Sequence, residues 1–277
     1  MPNSGISNAI FSRRNILKYA AAITGTFAFT GLGIVPVRAA TFKGVSYGKN
    51  QLDIYQPANA AGAPILIYVH GGAWKAGSRR SVGSKASYYN GKGYVFVSVD
   101  YTLYPRANAE QQAVEVAQAV NWVSRNATTY GGDPSRIALM GHSAGCHLSA
   151  MATLSGACTP KLLICNDTGG YDVAFLAEIN NGRVPRLYSA LDTKSKWARW
   201  SPISYVRNRR QPPTLVIWSG GENRDRISKR FADAMEAAGN SVTRFAGEGY
   251  SHISINSSVG KPGSSVTKAI DRFLQRL

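Results

Sequence analysis

Short, unbroken apolar runs alternate along the chain with stretches where apolar residues return every three or four positions. The runs at 65–69 (ILIYV), 94–99 (YVFVSV), 137–140 (IALM), 162–165 (LLIC) and 214–218 (TLVIW) read as strands covered on both faces. Between them, Val114, Ala117, Val120 and Val123 fall at helical spacing. So do Ile227, Phe231, Met235 and Ala238, a series that Gly239-Asn240 stops. The spacing predicts further helices over 143–154 and over 264–276, the second with Val266, Ile270, Phe273 and Leu274 inward. Residues 42–47 and 52–55 flank Gly48-Lys49-Asn50 as an antiparallel hairpin, and 242–245 reads as a last strand.

Strands separated by helices imply an α/β fold with a mostly parallel central sheet of about eight strands, helices on both faces and right-handed crossovers. A ligand is then expected beyond the carboxyl ends of the strands. One stretch breaks the alternation. Residues from about 171 to 211 have weak periodicity and are long for a connection, so they read as a small inserted cap. Within 183–210, Arg183, Arg186, Lys194, Lys196, Arg199, Arg207, Arg209 and Arg210 stand against Asp192 alone.

With 277 residues, 44% of them hydrophobic and 17% charged, the chain suits one large domain and excludes wholesale disorder. Three cysteines (Cys146, Cys158, Cys165) are too few for a disulfide scaffold, and a Cys158–Cys165 bridge is not expected across a strand start. The four histidines lack metal-ligand spacing, so no metal is expected. The net charge of +17 would suit nucleic acid, anionic lipid or an acidic substrate. No basic helix, helix-turn-helix or aromatic RNA-reading motif accompanies it, so no nucleic-acid partner is expected and the charge reads first as solvated surface.

Ser12-Arg13-Arg14-Asn15-Ile16-Leu17-Lys18 precedes a run without charge from 19 to 37, the order of an export signal. It resembles the bacterial twin-arginine signal, with Ile16 where that signal usually has Phe. Val37-Arg38-Ala39 places small residues for cleavage after Ala39, which predicts a signal over 1–39, a domain over 40–277 and a periplasmic or secreted destination. Contact with a membrane would then be limited to transit; an uncleaved anchor is the alternative. Removing 1–39 takes away four cations and no acid, so the basicity belongs to the domain.

Gly141-His142-Ser143-Ala144-Gly145 follows the strand IALM and opens a helix. Such a strand-to-helix turn holds a serine in strained backbone geometry, needs small neighbours, and sets a helix N-terminus beneath a developing oxyanion. Ser143 is therefore the expected nucleophile. A serine hydroxyl needs a base, and the base a carboxylate. His252, after the last strand, is the only histidine beyond the elbow helix, and the chain order serine, acid, histidine makes it the base; His70, His142 and His147 read as local structure. The acid is expected after TLVIW, where Asp225 is favoured and Glu222 is the alternative. Gly72, Ala73 and Ala144 are the expected oxyanion donors, with Gly71 able to replace one.

These motifs resemble the α/β-hydrolase fold, in particular its small carboxylesterase branch that includes kynurenine formamidase and the hormone-sensitive-lipase-like esterases. YVHGGAWKAGS, VSVDYTLYP, YGGDPSRIALMGHSAGCHL and RWSPISYV carry the likeness over about 45–275. That family's acid usually stands in a compact G-x-x-D, whereas GGENRD is longer, which leaves Asp225 and Glu222 both open. Gly249-Tyr250-Ser251-His252 matches its histidine segment. The resemblance implies acyl transfer to water without a cofactor, on a small-molecule ester that a basic cap would allow to be anionic. An arylformamidase on the same residues is the second expectation. A non-catalytic polyanion-binding protein on a hydrolase scaffold is a remote third.

Overall fold

The computed structural model describes residues 39–206 and 210–277. The expected signal, and Arg207 and Arg209 of the basic cluster, lie outside the described residues. Eight strands form one sheet in the order β1-β2-β4-β3-β5-β6-β7-β8. These are β1 (Ala40–Tyr47), β2 (Asn50–Gln56), β3 (Ala63–Val69), β4 (Val95–Val99), β5 (Gly132–His142), β6 (Leu162–Asn166), β7 (Thr214–Ser219) and β8 (Val242–Gly247). β1, β2 and β4 pair antiparallel, and every pair from β4 through β3 to β8 is parallel. Tyr47 pairs with Asn50, so the hairpin closes through Gly48-Lys49 alone, with Gly48 at φ 67°.

The apolar runs are continuous because both faces of the sheet are covered. On β3, Ile65, Ile67 and Val69 enter one core while Leu66 and Tyr68 enter the other; on β5, Ile137 and Leu139 oppose Ala138 and Met140. The first core is closed by α2 (Ala109–Asn126), α3 (Ala144–Leu154) and α5 (Glu222–Ala237), and the second by α1 (Lys85–Gly91), α6 (His252–Ser257) and α7 (Ser265–Leu274). Each fully buried Ile or Leu contributes about 1.5–3 kcal/mol of transfer free energy. Two of these helices, α1 and α6, were not expected. On α2 the inward stripe is Ala113, Val116, Ala117, Val120 and Val123, while Val114 is 48% exposed. The expected phase of that helix is thus corrected by one position at its start, where small Ala113 fits close to the sheet.

The stretch between β6 and β7 contains α4 (Val173–Glu178) and three short 3-10 segments, at Arg186–Leu191, Lys194–Lys196 and Pro202–Tyr205. Tyr171 anchors its start by stacking on Phe231 of α5, with centroids 4.2 Å apart. The three cysteines are free and buried. Among the described residues no helix is long and apolar enough to cross a membrane, and no group of His, Cys, Asp or Glu could hold a metal ion.

Candidate active site

Parallel register brings the carboxyl ends of β5, β6 and β7 to one rim. His142 pairs with Asn166 and Asn166 with Ile217, so Ser143 and Asp167 are the first residues past the paired ends of adjacent strands. The Ser143 N–H donates to the Asn166 carbonyl at 3.1 Å, and the Asp167 N–H to that of Ile217 at 2.9 Å. Both residues have positive φ, 56° for Ser143 and 55° for Asp167. For L residues such a backbone is costly and is retained where the surroundings enforce it, as at an active site.

Glycine makes the turn possible. A Cβ on Gly145 would collide with the carbonyls of Val69 and His70, and one on Gly141 with the carbonyl of Gly145. Ser143 starts α3 without capping it by its side chain, which leaves the hydroxyl for another partner. That partner is His252: Ser143 Oγ lies 2.9 Å from His252 Nε2. On the ring's other side, Nδ1 lies 2.7 Å from Asp167 Oδ2. Serine hydroxyl, imidazole and carboxylate therefore stand in one hydrogen-bonded line, the arrangement in which a base accepts a serine proton while a carboxylate fixes its tautomer.

The acid on the imidazole is Asp167, after β6, and this corrects the expectation of Asp225. Asp225 Oδ1 accepts from Trp218 Nε1 at 3.1 Å and its Oδ2 pairs with Lys229 Nζ at 2.8 Å, one helical turn on. Glu222, the alternative, is exposed. The helix starts at Glu222 rather than near Arg226, so Asp225 is held within its first turn and does not reach back over the sheet. β6 lies between β5 and β7, so an acid at its end stands next to the elbow. The signal that could have found it is an aspartate directly after the run LLICN and just before Gly169-Gly170.

Asp167 is fully buried, and Ser219 Oγ donates to its Oδ2 at 2.7 Å. Burial by itself would raise its pKa. The hydrogen bond from His252 and the nearby Arg224 charge outweigh that and hold the carboxyl below the ordinary carboxylate range. His252 begins α6, capped by Ser251, whose Oγ accepts from the Ser254 N–H. His142 Nε2–H donates to the carbonyl of His252 at 3.0 Å, and the two rings lie 4.7 Å apart. Burial pushes His142 well below the usual imidazole range, so it remains a neutral donor.

The loop after β3 meets the elbow from above. A Cβ on Gly71 would stand 2.9 Å from that of Ser143, so the chain passes in close contact with the nucleophile. Gly72, Ala73 and Trp74 all have positive φ, at 121°, 52° and 63°. Gly71 thus passes beside the nucleophile and Ala144 opens α3 directly after it, so a strained loop and a helix N-terminus both border Ser143. Trp74 Nε1–H donates to His147 Nδ1 at 3.2 Å, and His147 Nε2–H to the Trp200 carbonyl at 2.6 Å. One imidazole of α3 so ties the loop to the stretch between β6 and β7. Burial lowers its pKa to about 4, which keeps it neutral as these two bonds require.

A model of the family named BD-FAE matches residues 52–172, from β2 through the elbow to the acid loop. Esterase LipQ of Mycobacterium tuberculosis is 31% identical over 265 residues, covering 85% of this chain and 62% of the relative. Isoprenylcysteine alpha-carbonyl methylesterase ICME of Arabidopsis thaliana is 26% identical, over 71% of this chain and 53% of the relative. The chain thus spans about three-fifths to half of these relatives' own length. Among solved structures, esterase 2 of Thermogutta terrifontis phosphoramylated by tabun superposes with a TM-score of 0.67 at 21% identity, covering 86% of this chain and 94% of that one. Esterase B from Lactobacillus Rhamnosis gives 0.72 at 17% identity, over 86% of this chain and 85% of that one. These likenesses establish the fold.

Proposed function

We propose, from the α/β-hydrolase fold of the chain and its likeness to esterases, that it hydrolyses small or aryl carboxylic esters through an acyl-enzyme on Ser143. The hydrogen-bonded line Ser143–His252–Asp167 carries the reading. His252 takes the Ser143 proton as Oγ bonds the substrate carbonyl carbon, and the carbonyl electron pair moves onto oxygen beside the amides of Gly72, Ala73 and Ala144. The intermediate collapses, the alcohol departs with the proton from His252, and the acyl group stays on Oγ. Water, deprotonated by His252, then attacks the acyl carbon; the acid is released and the proton returns to Ser143.

The surroundings support an apolar substrate. Among the described residues, Tyr104, Leu187 and Ile253 are three of the five exposed large hydrophobics, and each is tied through the chain or a hydrogen bond to an element of the site. Ile253 follows His252, Leu187 precedes Tyr188, whose ring lies 5.5 Å from that of Trp74, and the Tyr104 N–H donates to the Trp74 carbonyl. Of the basic cluster, Arg183, Arg186, Lys194 and Arg210 are exposed, while Arg199 pairs with Glu110. The test is a panel of chain-length esters, aryl acetates, feruloyl esters and N-formylkynurenine, with one anionic ester measured across a salt series. Esters are expected to be turned over in preference to the formamide. Should the cluster steer substrate, kcat/KM for the anionic ester falls steeply with salt while a neutral ester stays level. Equal salt responses would leave the cluster as surface, and turnover of the formamide alone would replace the ester reading by an arylformamidase.

We also propose export to the periplasm or beyond, supported by the Arg13-Arg14 pair and the uncharged run after it. Expressed as the full chain in a bacterium, the protein is expected outside the cytoplasm with Ala40 as its first residue. An intact N-terminus held in the membrane fraction would favour an anchor.

A further inference from the structure

Resting on the assignment of Asp167 as the acid of the esterase site, we propose that Arg224 is a positioning residue that keeps this carboxylate ionised and correctly turned. The geometry begins with an imbalance between the two oxygens of Asp167. Oδ2 accepts from both His252 Nδ1 and Ser219 Oγ, each at 2.7 Å, while Oδ1 is buried with no hydrogen-bond partner. The cation facing Oδ1 is Arg224, with Nε 3.8 Å away. A fully buried carboxylate needs compensating charge, since burial favours the neutral acid.

Besides His252, which donates to it, the titratable groups close enough to feel this carboxylate's charge are His142, Tyr171, Tyr188 and Cys146. Burial holds His142, the two tyrosines and the thiol in their neutral forms. His252 is the group the acid serves during turnover. Arg224 therefore supplies the standing positive charge.

Its place in the chain is locally unfavourable for a cation. Arg224 is the third residue of α5, where the partial positive charge of a helix N-terminus disfavours a cation and favours acids such as its neighbours Glu222 and Asp225. A locally mismatched residue that is also largely buried marks a demand from outside the helix. Gly169 makes room for it: a Cβ there would stand 2.5 Å from Tyr188 Oη and 3.3 Å from Arg224 Nη1. The Gly169 N–H donates to Tyr188 Oη at 3.2 Å, so the guanidinium, the phenol and the loop after Asp167 converge on one spot. Asp167 is in this way braced from α5 and from the stretch between β6 and β7.

The experiment compares Arg224→Met, Arg224→Gln, Arg224→Lys and Asp167→Asn, using p-nitrophenyl acetate from pH 5 to 9 with thermal unfolding of each protein. Arg224→Met is expected to lower kcat about 10–100-fold with KM within about threefold of the parent. It also moves the acid limb of kcat/KM to higher pH by about one unit, because the coupled Asp167–His252 pair takes up a proton more readily once the cation beside it is gone. Arg224→Gln does the same and serves if the methionine variant does not fold, while Arg224→Lys recovers most of the activity. In the Asp167→Asn background, Arg224→Met adds less than about twofold. An Arg224→Met or Arg224→Gln protein with parental kcat and an unmoved limb overturns the proposal. So does a loss confined to KM for anionic esters, which would make the guanidinium a substrate contact. An active Asp167→Asn enzyme would instead sink the assignment of the acid itself.

Discussion

Ser143→Ala is expected to abolish ester hydrolysis while leaving the protein folded. The loss in kcat should be about 10⁴–10⁶-fold, since the hydroxyl is the atom to which the acyl group is transferred and no neighbouring group can replace it. Stability should change little. Alanine keeps the Cβ that Gly71 packs against, and it inherits the backbone at φ 56° without adding bulk. The single bond removed is the one to His252 Nε2. Two measurements check this: p-nitrophenyl acetate turnover, and labelling by an organophosphate ester followed by mass spectrometry. The parent should carry one phosphoryl adduct on the peptide containing Ser143, and the variant none. A variant with parental turnover would remove the acyl-enzyme reading.

Most of the fold is legible in the sequence because its strands are covered on both faces, which turns burial into unbroken apolar runs such as ILIYV and TLVIW. Of the helices that cover the sheet, the two that escape notice are short, at seven and six residues. α1 buries Lys85, Ala86 and Tyr89, and Lys85 reads as a surface residue until its Nζ is seen to donate to the Asn256 carbonyl at 2.9 Å. α6 buries only Ile255, so no periodicity announces it. In the site, the elbow and the histidine can be read because each lies at a strand end with a local pattern, glycines for the elbow and Gly-Tyr-Ser-His for the base. For the acid a strand end does not decide, because Asp167 and Asp225 each follow one. Which carboxylate meets His252 depends on the order of strands across the sheet, and that order follows from long-range pairing. A local reading of GGENRD instead favours an aspartate that the early start of α5 commits to Trp218 and Lys229.

Exchanging the two candidate acids for their amides, one at a time, gives the sharpest contrast. Asp167→Asn is expected to reduce kcat by about 10³–10⁴-fold, and Asp225→Asn to leave it within about threefold. An asparagine at 167 has two ways to sit. With its oxygen at the Oδ2 position it still accepts from His252 and Ser219, but its amide N–H₂ then faces Arg224, donor against cation. Turned over, it offers oxygen to Arg224 and N–H₂ to His252 Nδ1. The imidazole must then carry its proton on Nε2, and Ser143 loses its acceptor. The first arrangement leaves the imidazolium without a counter-ion and the second presents the wrong tautomer, so both are inactive. At 225 the amide gives up only a surface ion pair with Lys229, whose side chain is 54% exposed, worth at most about 1 kcal/mol, and Trp218 can still donate to the amide oxygen. Steady-state kinetics with a neutral ester at pH 8 separates the cases. If instead Asp225→Asn were the inactive protein, the imidazole would have to leave Asp167 during turnover, and the line of hydrogen bonds from β5 to β6 would not be the working form of the site.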